Sequence, residues 1–242
     1  MLLLLTGLTG CTGGGEIDCG VGTRYINGEC RPILDSAETD TDTDTDADSD
    51  TDADTDSDTD TDVGTSVSDI QNGGVTGVVT LVGVVATSED SNNHVFIQDA
   101  GGGEWSGIDI YLGGVEVEVA RGDELTVTGE VSEYNDNTQI LLADAADLAV
   151  TGSGSVSADS ISSTPSSWEN YEGGLVTLEG PTVDAANEYG EGATQYGIKV
   201  DDLLYKWHED YGASTYASVT GLVYYSYGEY KLVPRDAADF VE

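Results

Sequence analysis

Apolar runs separated by turn residues begin after Gly64 and continue through the rest of the sequence. The run from Val75 to Val85 is almost wholly apolar and carries glycines at which a strand can bend. The run from Leu125 to Ser132 alternates apolar and polar residues, which is the period of a half-buried strand. Val, Ile, Thr and Tyr are typical of strands, and Gly, Asn and Asp are typical of turns. The pattern predicts an all-β protein without a long helix.

A first group of five strands is predicted within residues 67–151. Its members are Val75–Val85, His94–Gln98, Gly107–Leu112, Leu125–Ser132 and Thr138–Leu142. Gly122-Asp123 and Asn135-Asp136-Asn137 supply turns between strands. Five short strands in this arrangement fit a Greek-key barrel of the OB-fold type.

A second group of strands is predicted within residues 166–242, after a Ser- and Gly-rich linker at 152–165. Its members are Leu175–Val183, Thr194–Val200, Leu203–Lys206, Tyr216–Tyr225 and Glu229–Val233. The phrase at 127–131, Val-Thr-Gly-Glu-Val, returns at 219–223 as Val-Thr-Gly-Leu-Val. An internal duplication explains this economically. We therefore expect two tandem OB-fold-like Greek-key barrels.

An acidic segment precedes the strands. Every even-numbered residue from Asp40 to Asp62 is Asp, and the segment has no large apolar side chain to offset the entropy of ordering it. Residues 35–66 are therefore predicted to be a disordered, extended stalk. Calcium binding is the alternative, because alternate Asp resembles the start of a calcium loop, but Gly and Glu are missing at the required spacing. Weak calcium binding stays open, and no specific metal site or other cofactor is predicted.

The net charge bears on possible partners. The chain has 47 acidic and 7 basic residues, and residues 63–242 alone hold 30 acidic and 5 basic ones, a net charge of −25. A surface that binds nucleic acid through its phosphates needs clustered Lys and Arg. The few bases are scattered, so binding to nucleic acid is disfavoured.

The N-terminal segment carries a recognisable motif. A short apolar stretch from Met1 to Leu8 runs into Leu-Thr-Gly-Cys at residues 8–11. It resembles a bacterial lipoprotein signal peptide with its lipobox. The resemblance implies removal of residues 1–10, a lipid such as palmitate on Cys11, and attachment to the outer membrane with the rest of the protein exposed at the cell surface.

The remaining cysteines, Cys19 and Cys30, lie close together in the segment 11–34. In an exported protein such a pair predicts a disulfide bond. Their Gly-rich surroundings resemble the small one-disulfide knobs of bacterial surface lipoproteins. The alternative, a metal site, would need further Cys or His nearby, which the sequence lacks.

A second resemblance covers most of residues 75–242. Val-Phe-Ile-Gln-Asp at 95–99, Gly-Asp at 122–123 and the segment 127–134 are similar to the OB-like domain that accompanies secreted bacterial nucleases of the endonuclease/exonuclease/phosphatase type. The tail from Ser218 to Asp239 resembles the end of the same region. In that family the catalytic domain is separate. The resemblance therefore implies an accessory or binding module, and a nucleic-acid-binding partner of a nuclease is one alternative.

Catalytic chemistry finds little support in the sequence. The two histidines, His94 and His208, lie in different halves and are expected to be surface or loop residues. No Cys is free for nucleophilic attack once the lipid and the disulfide are assigned. The acidic pairs Asp201-Asp202 and Glu209-Asp210 are interpreted as solvated loops, with calcium binding as the alternative. We expect a protein that is not an enzyme.

Aromatic residues in the second half suggest a binding surface. OB-folds stack ligands on aromatic side chains of the barrel face. The candidate platform consists of Tyr205, Trp207, Tyr225, Tyr227 and Tyr230. Cross-strand packing of the same rings is the alternative. The sequence thus predicts a non-enzymatic surface lipoprotein that binds an envelope polysaccharide or an envelope protein. A calcium-tuned structural module remains a further alternative.

Overall fold

The computed structural model describes residues 23–26, 29–32 and 64–242. Strands β1 (Thr23–Ile26) and β2 (Glu29–Pro32) form an antiparallel hairpin. Cys30 lies in β2, where only the backbone is described. Cys11, Cys19 and most of the predicted acidic stalk lie outside the described residues. The lipidation site, the disulfide and the disordered stalk therefore stay predictions.

Residues 64–242 open with a short helix, α1 (Val67–Gln71). The hydroxyl of Ser66 accepts a hydrogen bond from the Asp69 amide, and the Asp69 carboxylate accepts one from the Ser66 amide, which is a capping box. Val67 and Ile70 on one face of α1 are buried in the core of the first barrel. The capping box thus starts a helix of little more than one turn, and the apolar face of that helix attaches it to the barrel.

The first barrel follows α1. Its strands are β3 (Gly77–Ala86), β4 (His94–Gln98), β5 (Gly107–Tyr111), β6 (Asp123–Tyr134), β7 (Asn137–Leu141) and β8 (Leu148–Ser153). A 3-10 helix, Ala145–Asp147, precedes β8. Five strands close into a barrel in the order β3-β4-β5-β7-β6-β3, with β5 and β7 parallel and the other pairs antiparallel, and β8 continues alongside β6.

The bend that closes this barrel lies at Gly83 in β3. Gly83 has φ +74°, a conformation that glycine adopts without steric cost, and the pairing register with β6 shifts between Val82 and Val84. Beyond the bend, β3 turns onto β4 through Val85 and Ala86. The glycine-bearing apolar run therefore forms the bent strand that its sequence predicts.

The second barrel has shorter strands. They are β9 (Asp159–Ile161), β10 (Leu175–Glu179), β11 (Thr182–Val183), β12 (Gly192–Ala193), β13 (Lys199–Val200), β14 (Ser214–Thr215), β15 (Ser218–Ser226), β16 (Glu229–Val233) and β17 (Phe240–Val241). Helix α2 (Trp207–Asp210) and the 3-10 helices Glu169–Tyr171 and Ala237–Asp239 complete the secondary structure. The strands pair in the order β12-β13-β16-β15-β10-β9. Val183 in β11, which follows β10 closely in sequence, forms a single bridge with Thr194, which follows β12. This bridge closes the ring, and β9 lies outside it.

The two barrels have the same strand order. In each, the third and fifth strands of the ring are parallel, β5 with β7 and β13 with β16. In each barrel, the hydroxyl groups of a threonine in the first strand and a threonine in the fourth strand form a hydrogen bond. The oxygen–oxygen distance is 2.9 Å between Thr80 and Thr128, and 2.8 Å between Thr177 and Thr220. The repeated Val-Thr-Gly phrase thus occupies equivalent positions, which agrees with duplication.

The repeat also extends to a segment that sequence reasoning overlooked. Asp-Ala-Ala-Asp occurs at 144–147 and again at 236–239. Each time it forms a capped 3-10 helix that leads into a strand paired with the first residues of the fourth strand of the ring. Asp144 and Asp236 cap these helices, each accepting a hydrogen bond from the amide two residues on. Matching the two segments would have strengthened the duplication argument.

Each barrel has its own apolar core, and a third apolar cluster joins them. Phe96 on the outer face of β4 packs against Leu175, Leu222 and Val233 of the second barrel. We call this contact region between the barrels the seam. All five residues of β4 are buried, because its inner face lies in the first core and its outer face lies in the seam. The outer surface of the second and third strands, with which OB-folds usually bind ligands, is therefore covered in the first barrel.

Three sequence-based assignments need correction. The predicted strand Thr194–Val200 is mostly the turn at 195–197 that joins the short antiparallel strands β12 and β13. The predicted linker 152–165 contains the end of β8 and all of β9, which pairs in parallel with β10, so only residues 154–158 connect the barrels. The predicted strand at 203–206 does not form. The Asp201 carboxylate accepts a hydrogen bond from the Leu203 amide at 2.8 Å, which turns the chain, and Leu203 and Leu204 then pack against the seam.

Candidate functional site

A cleft of about 1190 Å³ lies on the outer surface of the second barrel. Its floor is formed by β13 and by the β15–β16 hairpin, and one wall is the loop at 187–191. The other wall comes from the first barrel, through the β6–β7 turn at 134–136. We call this cavity the cleft. Both barrels contribute to it, so it depends on the way they pack.

Corresponding hairpins of the two barrels meet at the cleft. In the first, Tyr134 pairs with Asn137 across the two-residue turn Asn135-Asp136, whose φ angles are +51° and +66°. In the second, residues 226 and 229 pair across Tyr227-Gly228, with φ angles of +53° and +82°. Two consecutive positive φ values define the tight turn that matches strand twist. Both turns therefore hold their tyrosines on well-defined backbone.

The third loop is organised by Asn187. Its side-chain oxygen accepts hydrogen bonds from the amides of Tyr189 at 2.8 Å and Glu191 at 3.0 Å. Gly190 between them has φ +79°, and its carbonyl accepts a hydrogen bond from the indole of Trp207 at 2.9 Å. The loop is thus tied both to itself and to the second core.

Three loops consequently present tyrosines to one cavity. The exposed fractions are 96% for Tyr227, 71% for Tyr189 and 63% for Tyr134, the three highest among aromatic side chains of the described residues. A single exposed aromatic ring is ordinary, but exposed rings gathered at one cavity are characteristic of a binding surface.

A network of ion pairs forms the polar part of the cleft. Lys231 binds Glu191 and Asp201, and Lys199 binds Glu191 and Glu229. Burial disfavours the ionised form of Glu191, but hydrogen bonds from Lys231, Asn187 and Lys199 outweigh it and lower the pKa of Glu191 to about 2. Each lysine of the cleft is thereby paired with two carboxylates, of which Glu191 is shared by both lysines.

The predicted aromatic platform is only partly assembled. Tyr225 and Tyr227 line the cleft, and Tyr227 lies over the ammonium group of Lys231, 5.5 Å from nitrogen to ring centre. Tyr230 contacts Tyr225, with 4.7 Å between ring centres, and its hydroxyl donates to Glu169. For this pair the structure shows the cross-strand packing that was the alternative interpretation.

The other two predicted platform residues lie elsewhere. Trp207 is fully buried in the second core, so including it in a surface platform was wrong. Tyr205 packs against the same core and donates its hydroxyl hydrogen to Asp210. Tyr205 belongs to the segment 203–206 that was expected to be a strand, and Trp207 follows that segment as the first residue of α2.

Sequence reasoning missed Tyr134 and Tyr189 as site residues. Each lies beside turn-forming residues, Tyr134 before Asn-Asp and Tyr189 before Gly, so a bulky aromatic at a loop tip was the available signal. Glu191 and Lys231 gave no comparable signal, because their pairing joins segments that are 40 residues apart in sequence.

His94 is the clearest error among the predicted surface residues. It lies in β4, it is buried, and its Nδ1 is 2.9 Å from the carboxylate of Asp109 on the neighbouring strand β5. Burial opposes protonation, yet the bond to Asp109 prevails and raises the pKa of His94. The rings of Tyr111 and Tyr224 pack edge-on against it. His94 therefore belongs to the seam. His208, in contrast, is partly exposed on α2, 3.6 Å from Asp202.

Three of the four carboxylates considered for calcium are engaged with other groups. Asp201 binds Lys231, Asp202 binds Lys206, and Asp210 accepts from Tyr205. In the described part of the chain, three or more His, Cys, Asp or Glu side chains nowhere group in a metal-binding arrangement.

Within residues 23–26, 29–32 and 64–242, the structure has no helix long and apolar enough to cross a membrane. No protein-family model matches the chain, and no curated protein matches it at a significant level.

Proposed function

We propose that this protein is a non-enzymatic, surface-exposed lipoprotein that binds an envelope polysaccharide in the cleft between its two OB-like barrels. The observation that carries the proposal is the convergence of Tyr134, Tyr189 and Tyr227, from three separate loops, on one cavity. The lipid anchor and the outer-membrane location come from the lipobox resemblance of residues 1–11 and belong to the proposal.

A sugar chain suits this cleft better than a nucleic acid does. Tyrosine rings stack on the apolar faces of sugars or bases, so the aromatic lining is compatible with both. Phosphates, however, need cationic partners, and both lysines of the cleft are already paired with carboxylates. Asn135 and Asp136 at the rim offer the hydrogen-bonding groups that sugar hydroxyls use.

Polysaccharide extracted from the envelope of the producing cells provides the direct test. Purified full-length protein should be retained by the immobilised polysaccharide, and the double variant Tyr189→Ala/Tyr227→Ala should lose at least tenfold in affinity. Val78→Ala is the control, because Val78 is a well-exposed apolar residue on β3 that does not line the cleft. Single-stranded DNA serves as the competing ligand and should not be bound.

The proposal fails if the polysaccharide does not retain the wild-type protein, or if the double variant binds as tightly as wild type. Equal losses in the double variant and in Val78→Ala would also contradict it, because the effect would then not be located in the cleft. Binding of the DNA in preference to the polysaccharide would favour the role of nuclease partner instead.

A further inference from the structure

Glu172 of the second barrel forms a hydrogen bond with the hairpin of the first barrel that supplies one wall of the cleft. It follows the 3-10 helix Glu169–Tyr171 and is 1% exposed. Its Oε1 accepts a hydrogen bond of 2.8 Å from the amide of Thr138 in β7. Thr138 comes one residue after Asn137, which closes the turn bearing Tyr134. The carboxyl group thus connects the second barrel to the hairpin that presents one of the three cleft tyrosines.

The second oxygen of this carboxyl group has no hydrogen-bond partner. Four buried side-chain atoms of the described residues lack a partner, and Glu172 Oε2, Gln71 Oε1 and Asn137 Nδ2 are three of them. Gln71 and Glu172 belong to the seam, because the Gln71 amide group donates to the carbonyl oxygens of Gly107, at 2.6 Å, and Glu172, at 3.4 Å. A buried carboxylate oxygen without a partner is costly, whereas a neutral carboxyl group removes the charge.

The groups that face Glu172 do not supply a positive charge. Asp109 on β5, Glu133 on β6 and Glu169 on the preceding 3-10 helix are all acidic. Asp109 is bonded to His94, the Glu133 carboxylate accepts from the Thr138 hydroxyl at 2.6 Å, and Glu169 accepts from Tyr230. Tyr224 and Tyr230 are the further titratable groups that interact with it. Burial, reinforced by Glu169, Glu133 and Asp109, raises the pKa of Glu172 to about 8, although the Thr138 amide opposes the shift.

We propose that Glu172 is a positioning residue for the cleft, holding the β6–β7 hairpin of the first barrel in place with a protonated carboxyl group. Loss of that proton leaves a buried negative charge among three acidic residues. The seam then loosens so that water can reach the carboxylate, and the cleft wall carrying Tyr134 is released. The biological meaning of this inference rests on the proposed function, since the cleft is the proposed binding site.

The pH dependence has a definite sign. When the seam is open, Glu172 is hydrated and ionises near its ordinary pKa of 4.5; when it is closed, the pKa is about 8. Between these values opening releases a proton, so the open population rises by up to about tenfold per pH unit. Above about pH 8 both forms are ionised, and the open population levels off.

Amide hydrogen exchange followed by NMR tests the inference without any ligand. In the full-length protein, exchange of the Thr138 amide, corrected for intrinsic base catalysis, should accelerate between pH 5 and 8 and level off above. Glu172→Gln, which keeps an acceptor but cannot ionise, should remove the pH dependence and keep the protection. Glu130→Gln is the control, because Glu130 is an exposed glutamate on β6 of the same barrel. Its profile should follow that of wild type.

Two outcomes would overturn the inference: a wild-type profile as flat as that of Glu172→Gln, or a Glu172→Gln profile that accelerates with pH as steeply as that of wild type. Glu172→Ala should exchange fast at every pH if it folds, and the isosteric variant carries the test if it does not. Because exchange is measured in the absence of polysaccharide, a failure here leaves the proposed function standing, and a failure of polysaccharide binding leaves the pH result interpretable.

Discussion

Gly107 of the first barrel and Gly173 of the second meet backbone to backbone in the seam. A β-carbon on Gly107 would lie 2.2 Å from the carbonyl carbon of Gly173, and one on Gly173 would lie 2.4 Å from the amide nitrogen of Ile108. Gly173 also has φ +71°, where other residues are strained. Neither position has space for a side chain, so the packing of the barrels requires glycine on both sides.

Replacing Gly107 by alanine should therefore destabilise the protein. The added methyl group would meet backbone, which cannot move aside as a side chain can, and overpacking of this kind typically costs about 1–3 kcal/mol. Urea unfolding of Gly107→Ala measures the change. Gly101→Ala is the control, because nothing lies within 4 Å of a β-carbon there. Equal stability of the two variants would contradict the described seam.

The glycines of the repeated Val-Thr-Gly phrase should behave alike. A β-carbon on Gly129 would lie 2.4 Å from Cγ2 of Ile140, and one on Gly221 would lie 2.8 Å from Cγ of Leu232. We expect Gly129→Ala and Gly221→Ala each to lower the free energy of unfolding by about 1–3 kcal/mol. Gly212→Ala, at an open position, should leave it unchanged. A loss in one barrel alone would argue against equivalent roles for the two copies.

Stability should be greatest in mildly acidic solution. The raised pKa of Glu172 means that its contribution is fully present below about pH 4.5 and is lost as pH rises to about 8. The free energy of unfolding should fall by up to about 1.4 kcal/mol per pH unit in that range. Glu191 acts in the opposite sense, because its pKa is lowered to about 2, so its contribution is lost as pH falls below about 4.5.

Urea unfolding at several pH values measures this profile. Glu172→Gln should flatten its alkaline side and leave the acidic side unchanged. An alkaline side that stays as steep in the variant would assign the effect to other groups.

Trp207 and Tyr227 should respond to mutation in opposite ways. Trp207→Ala removes a fully buried ring together with its hydrogen bond to Gly190, so a loss of about 3–5 kcal/mol in stability is expected. Tyr227→Ala removes an exposed ring and should change stability by less than about 0.5 kcal/mol while it weakens polysaccharide binding. Thermal unfolding and a binding assay on both variants check this contrast. A stable Trp207→Ala protein would contradict the described core.

The barrels could be predicted from sequence because the residues that determine each strand and turn lie close together in the chain. The bend at Gly83 and the turn at Asn135-Asp136 are each encoded by residues within a few positions, and strand alternation identifies the faces. The duplication was detectable for the same reason, since equivalent turns need equivalent residues.

The seam and the cleft could not be predicted, because they depend on how two complete barrels pack. Nothing near His94 in the sequence indicates that Tyr224, 130 residues later, covers it. Alternation in β4 places Phe96 and His94 outside the first core, and on an isolated barrel that means solvent. The cleft could not be predicted for the same reason, because Tyr134 and Tyr227 come from different barrels.

The short connection between the barrels has a mechanical consequence. Only residues 154–158 separate β8 from β9, and β9 is itself paired along β10. Tension applied between the two copies would have to shear this parallel pairing before more chain than these few residues could be drawn out between them. If the cleft binds a polysaccharide as proposed, this short connection limits how far the two walls of the cleft can be pulled apart when the bound chain is under tension.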